Sequence, residues 1–533
     1  MYIEPLNKNN TYKKTIIAVS LIGIIIFFII TNIIWLDIDT TPPFYDPCSF
    51  MYRTYSLSKD LGKIVQYPNH PLLVFLTTIP IIKIMGAEDE HYVYGNFLYI
   101  VILVLSVFGI GKILFDEWVG ISSAFLVLLY PFVFWISRQY YLDFPLLAMV
   151  SLVQYIILKS EGGTRKYWNI GLGVAIGCAL LTKTHGLIFF LPTWIIVFLS
   201  HYKNNKRKNL IRLLQVLIIA LIIALPWYLV ARDGFVKWNI YIYETCKVLP
   251  FNKNLSTSVL FYYKMIYYSI ILPFLFFVFL GGFVSFLIFD RRRKILIFLL
   301  SWIIIPYIAL ALWPNKEPRF ILPILPAFAI LTMGGISRLP KKLIKNIACS
   351  FVFFIALIQF SDFSFALPIH LFKSRRVHGS SPIRPSRLDW KIKETLGFFS
   401  SYTGRKNVFI CVLTNLPYFN GDLFIYYAPI YGLPFSSANY RYAGTDIDSV
   451  EVKLKRKEIK QCDFVITAQR QNGHGSEKPI CEIRLGDEMC KKFDRTADKF
   501  GFSKIKEFDL PENNKAIIYE NLQKRPVKLE NNR

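Results

Sequence analysis

The stretch TIIAVSLIGIIIFFIITNIIW, residues 15–35, runs on without a charged residue. An α-helix rises about 1.5 Å per residue, so about 20 apolar residues cross a hydrocarbon core of about 30 Å. The run follows Lys13 and Lys14, is longer than a signal-peptide core and has no small-residue cleavage site after it, so it reads as a retained anchor. Outward from it, apolar runs recur over 93–114, 118–136, 144–159, 168–182, 186–201, 211–230, 265–289, 295–312, 320–337 and 344–361. The chain, 54% hydrophobic over 533 residues, is therefore expected to be a polytopic α-helical membrane protein with about eleven transmembrane helices. Several runs are short, as suits helices packed inside a bundle. GLGVAIG (171–177) lies within one of them and reads as a helix-packing motif.

The net charge of +26 invites a nucleic-acid reading. The position of the cations argues against it, because many flank apolar runs. With the N-terminus inside, the inner loops hold Lys159, Arg165 and Lys166, then Lys203, Lys206, Arg207, Lys208 and Arg212, then DRRRK (290–294) and RLPKKLIK (338–345). That is the arrangement the positive-inside rule requires. Polar signals then gather on the outer face: DIDTTPPFYDP (37–47), NHPL (69–72), SRQYYLD (137–143), TKTH (182–185) and NKEPRF (315–320). A segment around ARDGFVKWN (231–239) is expected outside as well.

The expected division is a transmembrane catalytic domain, 1–364, with a long first outer loop, 36–92; a polar linker, 365–388; and a soluble extracytoplasmic α/β domain, 389–533. Within the first loop, apolar residues at helical spacing over 47–64 predict an interfacial helix. In the tail, 389–402 reads as a helix and 407–414, 462–468 and 515–521 as strands. The eight cysteines have no metal spacing. A disulfide in the tail, such as Cys481 with Cys490, would fit an oxidising compartment, although spacing does not decide pairing.

Asp46, followed by Pro47, has the look of a helix N-cap with proline at the first helical position, and Asp143 also stands at a helix start. Capping does not exclude chemistry. Two carboxylates from separate loops on one face can share a divalent cation or divide basic and orienting roles. Arg138, Lys183, His185, Lys316 and Arg319 sit at outer helix ends, against the topological bias, where a phosphate at the membrane surface would meet them. No phosphate-cradling glycine loop is apparent. A lipid-linked phosphate substrate suits this surface, with its tail in the bilayer and its head in water.

Five segments together carry a family resemblance: PPFYDP (42–47), NHPLL (69–73), YLDFPLLAMVSL (141–152), LTKTHGLIFFLP (181–192) and KEPRFILPILPAFAIL (316–331). In their order and spacing the chain resembles the GT-C class of membrane glycosyltransferases, in the branch of protein O-mannosyltransferases and lipid A aminoarabinose transferases, glycosyltransferase family 39. The likeness runs over about 10–335 and is looser in the tail. It implies transfer of a sugar, with inversion, from a polyprenyl-phosphate donor to a lipid, glycan or protein acceptor outside the cytoplasm. By resemblance Asp46 stands at the essential first-loop carboxylate, Asp143 at the second acid, His70 at a Lys or His before proline, and Lys316 and Arg319 in the late basic motif. The chain departs from the pattern at Pro47, where the family often has Glu, and at Leu72, where a second proline is common.

The site expected is thus Asp46 and Asp143 as catalytic acids, with His70, Arg138, Lys183, Lys316 and Arg319 on the donor phosphate. No cofactor is required, with room for a divalent cation on Asp46 and Asp143. The location expected is the plasma membrane, with the N-terminus cytoplasmic. The rival class is a transporter or flippase for a phosphate-bearing amphiphile. Its polar groups should lie near the bilayer midplane in matched halves, and no such halves are apparent.

Overall fold

The computed structural model describes residues 8–43, 45–66, 70–247, 252, 254–290, 292–365, 372, 382–404, 407–433, 435–439, 459, 461–470 and 490–524. By contacts the chain divides into two units, Met1–Asp37 with Ser56–Pro385, and Ile38–Tyr55 with Ser386–Arg533.

Every apolar run read as a span is helical in the first unit. Among the described residues, eight helices are long and apolar enough to cross a membrane alone. A ninth is reached if Glu117–Leu128 and Pro131–Ser137 count as one span bent by 68°. Pro131, at the first helical position after Tyr130, starts a new helix rather than extending the old one. The Asp143–Lys159 and Trp168–Thr182 helices have 17 and 15 residues, too few to span comfortably. The segment around 231–239, expected outside, is the far end of a long helix. Lys206–Cys246 is a single helix of 41 residues, about 60 Å long and about twice the hydrocarbon thickness. Nothing polar in 231–239 is a helix breaker, so the helix continues past the membrane.

The GLGVAIG segment packs as its small residues predict. A Cβ at Gly173 would stand 2.8 Å from Ile219 Cβ, and one at Gly177 2.8 Å from Ile223 Cβ. Only glycine lets the Trp168–Thr182 and Lys206–Cys246 helices approach so closely.

The second unit has a sheet built from β1 (Val408–Val412), β4 (Phe435–Asn439), β5 (Phe464–Arg470), β6 (Phe502–Leu510) and β7 (Asn514–Asn521), in the order β4-β1-β5-β7-β6. β2 (Asn415–Leu416) and β3 (Phe419–Asn420) form a separate small ladder. β1 runs parallel to β4 and β5, whereas β7 is antiparallel to β5 and β6. The Ile392–Thr403 helix presents buried Ile392, Leu396 and Phe399, and Phe399 meets Phe464 edge-on at 5.1 Å. Asp494 accepts hydrogen bonds from Thr467 and Tyr519, joining neighbouring strands.

The disulfide of this unit differs from the pair named above. Cys411 on β1 is joined to Cys462, just before β5, with Cα atoms 5.9 Å apart. Parallel pairing of β1 and β5 brings these two together, whereas Cys481 lies outside the described residues. Closing a loop across a sequence separation of 51 contributes about 4 kcal/mol in the chain-entropy account.

The first outer loop does not remain whole. Ile38–Tyr55 groups with the C-terminal unit, because Thr40 N–H donates to the Ser386 carbonyl at 2.9 Å and Ser386 N–H donates to Asp39 Oδ1 at 3.0 Å. The helix expected over 47–64 is Tyr45–Lys59, followed by a 3-10 turn, Leu61–Gln66. Asp46 is therefore inside the first helical turn rather than capping it.

Candidate active site

Asp143 opens the Asp143–Lys159 helix and is buried, with 1% of its side chain exposed. The turn before it is fixed by side chains. Asn96 donates to the carbonyls of Ser137 and Gln139 at 2.9 and 3.0 Å, and Asn32 donates to Ser137 Oγ at 3.1 Å. Lys183 ends the Trp168–Thr182 helix in an extended conformation, which turns its side chain onto Asp143. Its Nζ lies 2.7 Å from Asp143 Oδ1, and Arg319 Nε lies 3.8 Å from Oδ2. Arg319 comes from the 3-10 turn Pro318–Ile324, which packs on the Asp143 helix.

Aromatic rings hold these cations in place. Phe320 lies 4.6 Å from Lys183 Nζ and 5.6 Å from the Arg319 guanidinium, and its ring centre is 5.3 Å from that of His185. Tyr141 lies 4.5 Å from Arg319 on another side. A carboxylate between two cations in a low-dielectric setting is worth keeping only if all three are well placed. Two positive charges against one leave the cluster cationic. It can receive an anion, with Arg319 offering a planar fork.

The other expected site residues are distributed differently. Arg138 is buried, donates from Nε to Asn32 Oδ1 at 2.9 Å, and has Trp35, Phe134 and Phe360 around it at 5.6, 5.2 and 5.2 Å. This aromatic cage lies against the guanidinium, and its bond to Asn32 ties Arg138 to the turn before Asp143. Asp143, expected as a catalytic acid, has its oxygens turned to Lys183 and Arg319.

Lys316 is buried and donates to Asn252 Oδ1 at 2.6 Å and to the Trp313 carbonyl at 2.7 Å. Burial pushes its ammonium down to about 8. His70 is half-buried in the bend before the Leu73–Met85 helix. Asp46 belongs to the other unit. Among the described residues no group of three or more His, Cys, Asp or Glu side chains could hold a metal ion.

One group, Glu317, went unread in the sequence, and His185 was read only as a charge at a helix end. Glu317 Oε2 and His185 Nε2 are buried with no hydrogen-bond partner among the described residues. Glu317 lies between Lys316 and Arg319, and that adjacency was its only signal.

Comparisons with known proteins show what the chain is similar to. The model of the dolichyl-phosphate-mannose-protein mannosyltransferase family matches residues 69–229, which include His70, Asp143 and Lys183. Structurally, the chain is similar to ArnT from Cupriavidus metallidurans bound to undecaprenyl phosphate. The TM-score is 0.58 at 13% identity, over 93% of this chain and 98% of that one.

The fold is that of the GT-C transferases.

The GT-C fold also appears in the archaeal oligosaccharyltransferase AglB from Archaeoglobus fulgidus, whose structure holds an inhibitory peptide and a dolichol-phosphate. There the TM-score is 0.54 at 12% identity, over 97% of this chain and 75% of that one. In sequence, the chain is 24% identical over 256 residues to the undecaprenyl phosphate-alpha-4-amino-4-deoxy-L-arabinose arabinosyl transferase 2 of Proteus mirabilis (strain HI4320). The match covers 46% of each chain, so it spans about half the length of that relative.

Proposed function

We propose that this protein transfers a sugar from a polyprenyl-phosphate carrier to an acceptor hydroxyl at the outer face of a membrane, with inversion. The observation that carries the reading is the buried Asp143 joined to Lys183 at 2.7 Å, with Arg319 at 3.8 Å. This cationic cluster lies at helix ends opposite the basic loops, where a carrier phosphate meets water. The match to a family named for dolichyl-phosphate-mannose and the likeness to an undecaprenyl-phosphate-bound structure support the donor class.

In this reading the acceptor oxygen attacks the anomeric carbon while Asp46 takes its proton. The carbon–oxygen bond to the phosphate breaks, and the electron pair leaves on the phosphate. A glycosidase needs a second carboxyl to protonate a poor alcohol leaving group. A phosphate leaves as a stabilised anion, so Lys183 and Arg319 replace that acid, with His70 and Lys316 completing the charge. The cytoplasmic N-terminus and outward C-terminal unit follow from the basic loops. The Cys411–Cys462 disulfide supports an oxidising compartment for that unit.

Lys316 gives this reading a pH signature. With the folded value near 8, below the ordinary lysine range of about 10.4, the folded protein holds fewer protons than the unfolded chain between these values. Folding stability from this group therefore rises with pH there, while the positive charge available to the donor is lost. The KM for donor is expected to rise as pH passes about 8 in the wild type, and Lys316→Arg should flatten that limb. An unchanged limb in the Arg variant would remove Lys316 from the donor site. The reading as a whole is tested by donor turnover in proteoliposomes.

A further inference from the structure

A base that must meet one hydroxyl needs its position fixed to about half an ångström, and a loop leaving a membrane helix does not supply this by itself. The segment carrying Asp46 has two anchors, one on each side of it. On the N-terminal side, Thr40 N–H donates to the Ser386 carbonyl at 2.9 Å and Ser386 N–H returns to Asp39 Oδ1 at 3.0 Å. Thr41 Oγ1 also donates to Asp39 Oδ1, at 2.9 Å. On the C-terminal side, buried Cys48 donates from Sγ to the Asp422 carbonyl at 3.1 Å.

Asp422 is in the first turn of the Gly421–Ile430 helix, whose N-terminus Asn420 caps by accepting Asp422 N–H at 3.1 Å. That helix leads from the β2–β3 ladder into β4. Both anchors thus rest on the framework of the C-terminal unit. Between them Pro42, Pro43 and Pro47 restrict the backbone further. Asp39 is an expensive anchor, because burial pushes its carboxyl up to about 6. Ionised at neutral pH, it costs stability that an uncharged residue would not.

We propose that the C-terminal unit is the mount that sets the reacting position of Asp46, with Asp39 and Cys48 as positioning residues. The inference rests on the reading of Asp46 as the base and gives the C-terminal unit a part in the reaction. A 1 Å misplacement of a reacting group costs about 100-fold in rate. Cutting an anchor should therefore lower kcat and leave donor binding alone.

The test uses the full-length protein in proteoliposomes with labelled undecaprenyl phosphate-4-amino-4-deoxy-L-arabinose and labelled dolichyl phosphate-mannose as probes, together with amide hydrogen exchange over 38–55. Asp39→Ala should lower kcat about 10- to 100-fold with donor KM unchanged. It should also speed exchange over 40–48 without changing β1. Asp39→Asn, which retains an acceptor for Ser386 N–H, should restore both. Ser386→Pro removes the N–H from the other side and should reproduce the loss, which keeps the test available if Asp39→Ala fails to fold. Wild-type kcat and wild-type exchange over 40–48 in both anchor variants would overturn the proposal. Loss of the base itself is separable: if Asp46→Asn turns over normally, the reading of Asp46 fails first, and the exchange result still decides whether the mount exists.

Discussion

Asp46→Asn is expected to lower sugar transfer by about 1000-fold while the thermal transition of the protein stays where it was. The substitution preserves shape and removes the one thing proposed of this side chain, the capacity to take a proton. General base catalysis contributes about 100- to 10,000-fold. No second carboxyl is proposed to compensate, because Asp143 is turned to Lys183 and Arg319. The folding cost should be small. Asp46 lies in the first turn of its helix, where a negative charge is worth about 0.3–1 kcal/mol. Transfer measured alongside the melting temperature checks both halves. Turnover within tenfold of wild type would show that another group takes the proton.

Asp143→Ala should behave in the opposite way and damage the fold. Its carboxylate has 1% of its surface exposed and Lys183 and Arg319 have 13% and 11%, so solvent screens these contacts little. Removing one partner of a buried ion pair costs about 3–5 kcal/mol, because the charge left behind is no longer compensated. Here two cations would face each other around Phe320. A large fall in the melting temperature in detergent is expected for Asp143→Ala and a smaller one for Lys183→Met, which leaves Arg319 beside the carboxylate. A melting temperature unchanged by Asp143→Ala would show that the three residues are not held together by charge.

How much of this could be read from the residues depends on the range of the signal. The helices were legible because each apolar run carries its own evidence. Bends and ends were not. The run over 118–136 is apolar throughout, so the break at Pro131 leaves no trace in hydropathy, and the helix over 206–246 extends well beyond its apolar part. In the second unit the strands over 407–414, 462–468 and 515–521 were readable from their apolar residues, whereas Phe502–Leu510 was not read, and the pairing of Cys411 with Cys462 follows from a parallel ladder that no local pattern announces.

The candidate site divides in the same way. Asp143, Lys183 and Arg319 were each visible as charges at helix ends, but their meeting joins residues 40 and more positions apart. Arg138 carried the same signal, and the sequence did not show that Trp35 and Phe360, far away in the chain, close around it. The attachment of Asp39 and Cys48 to Ser386 and Asp422 was invisible, since backbone carbonyl and N–H partners have no sequence signature.

The central claim is chemical: the protein breaks the bond between a sugar and a polyprenyl phosphate. The most direct test is release of polyprenyl phosphate from the two labelled donors in proteoliposomes, with wild type and Asp46→Asn side by side. The account predicts release with the wild type, accompanied by label on an acceptor, and almost none with the variant. Donor carried intact across the bilayer by both proteins, with no phosphate released by either, would contradict it.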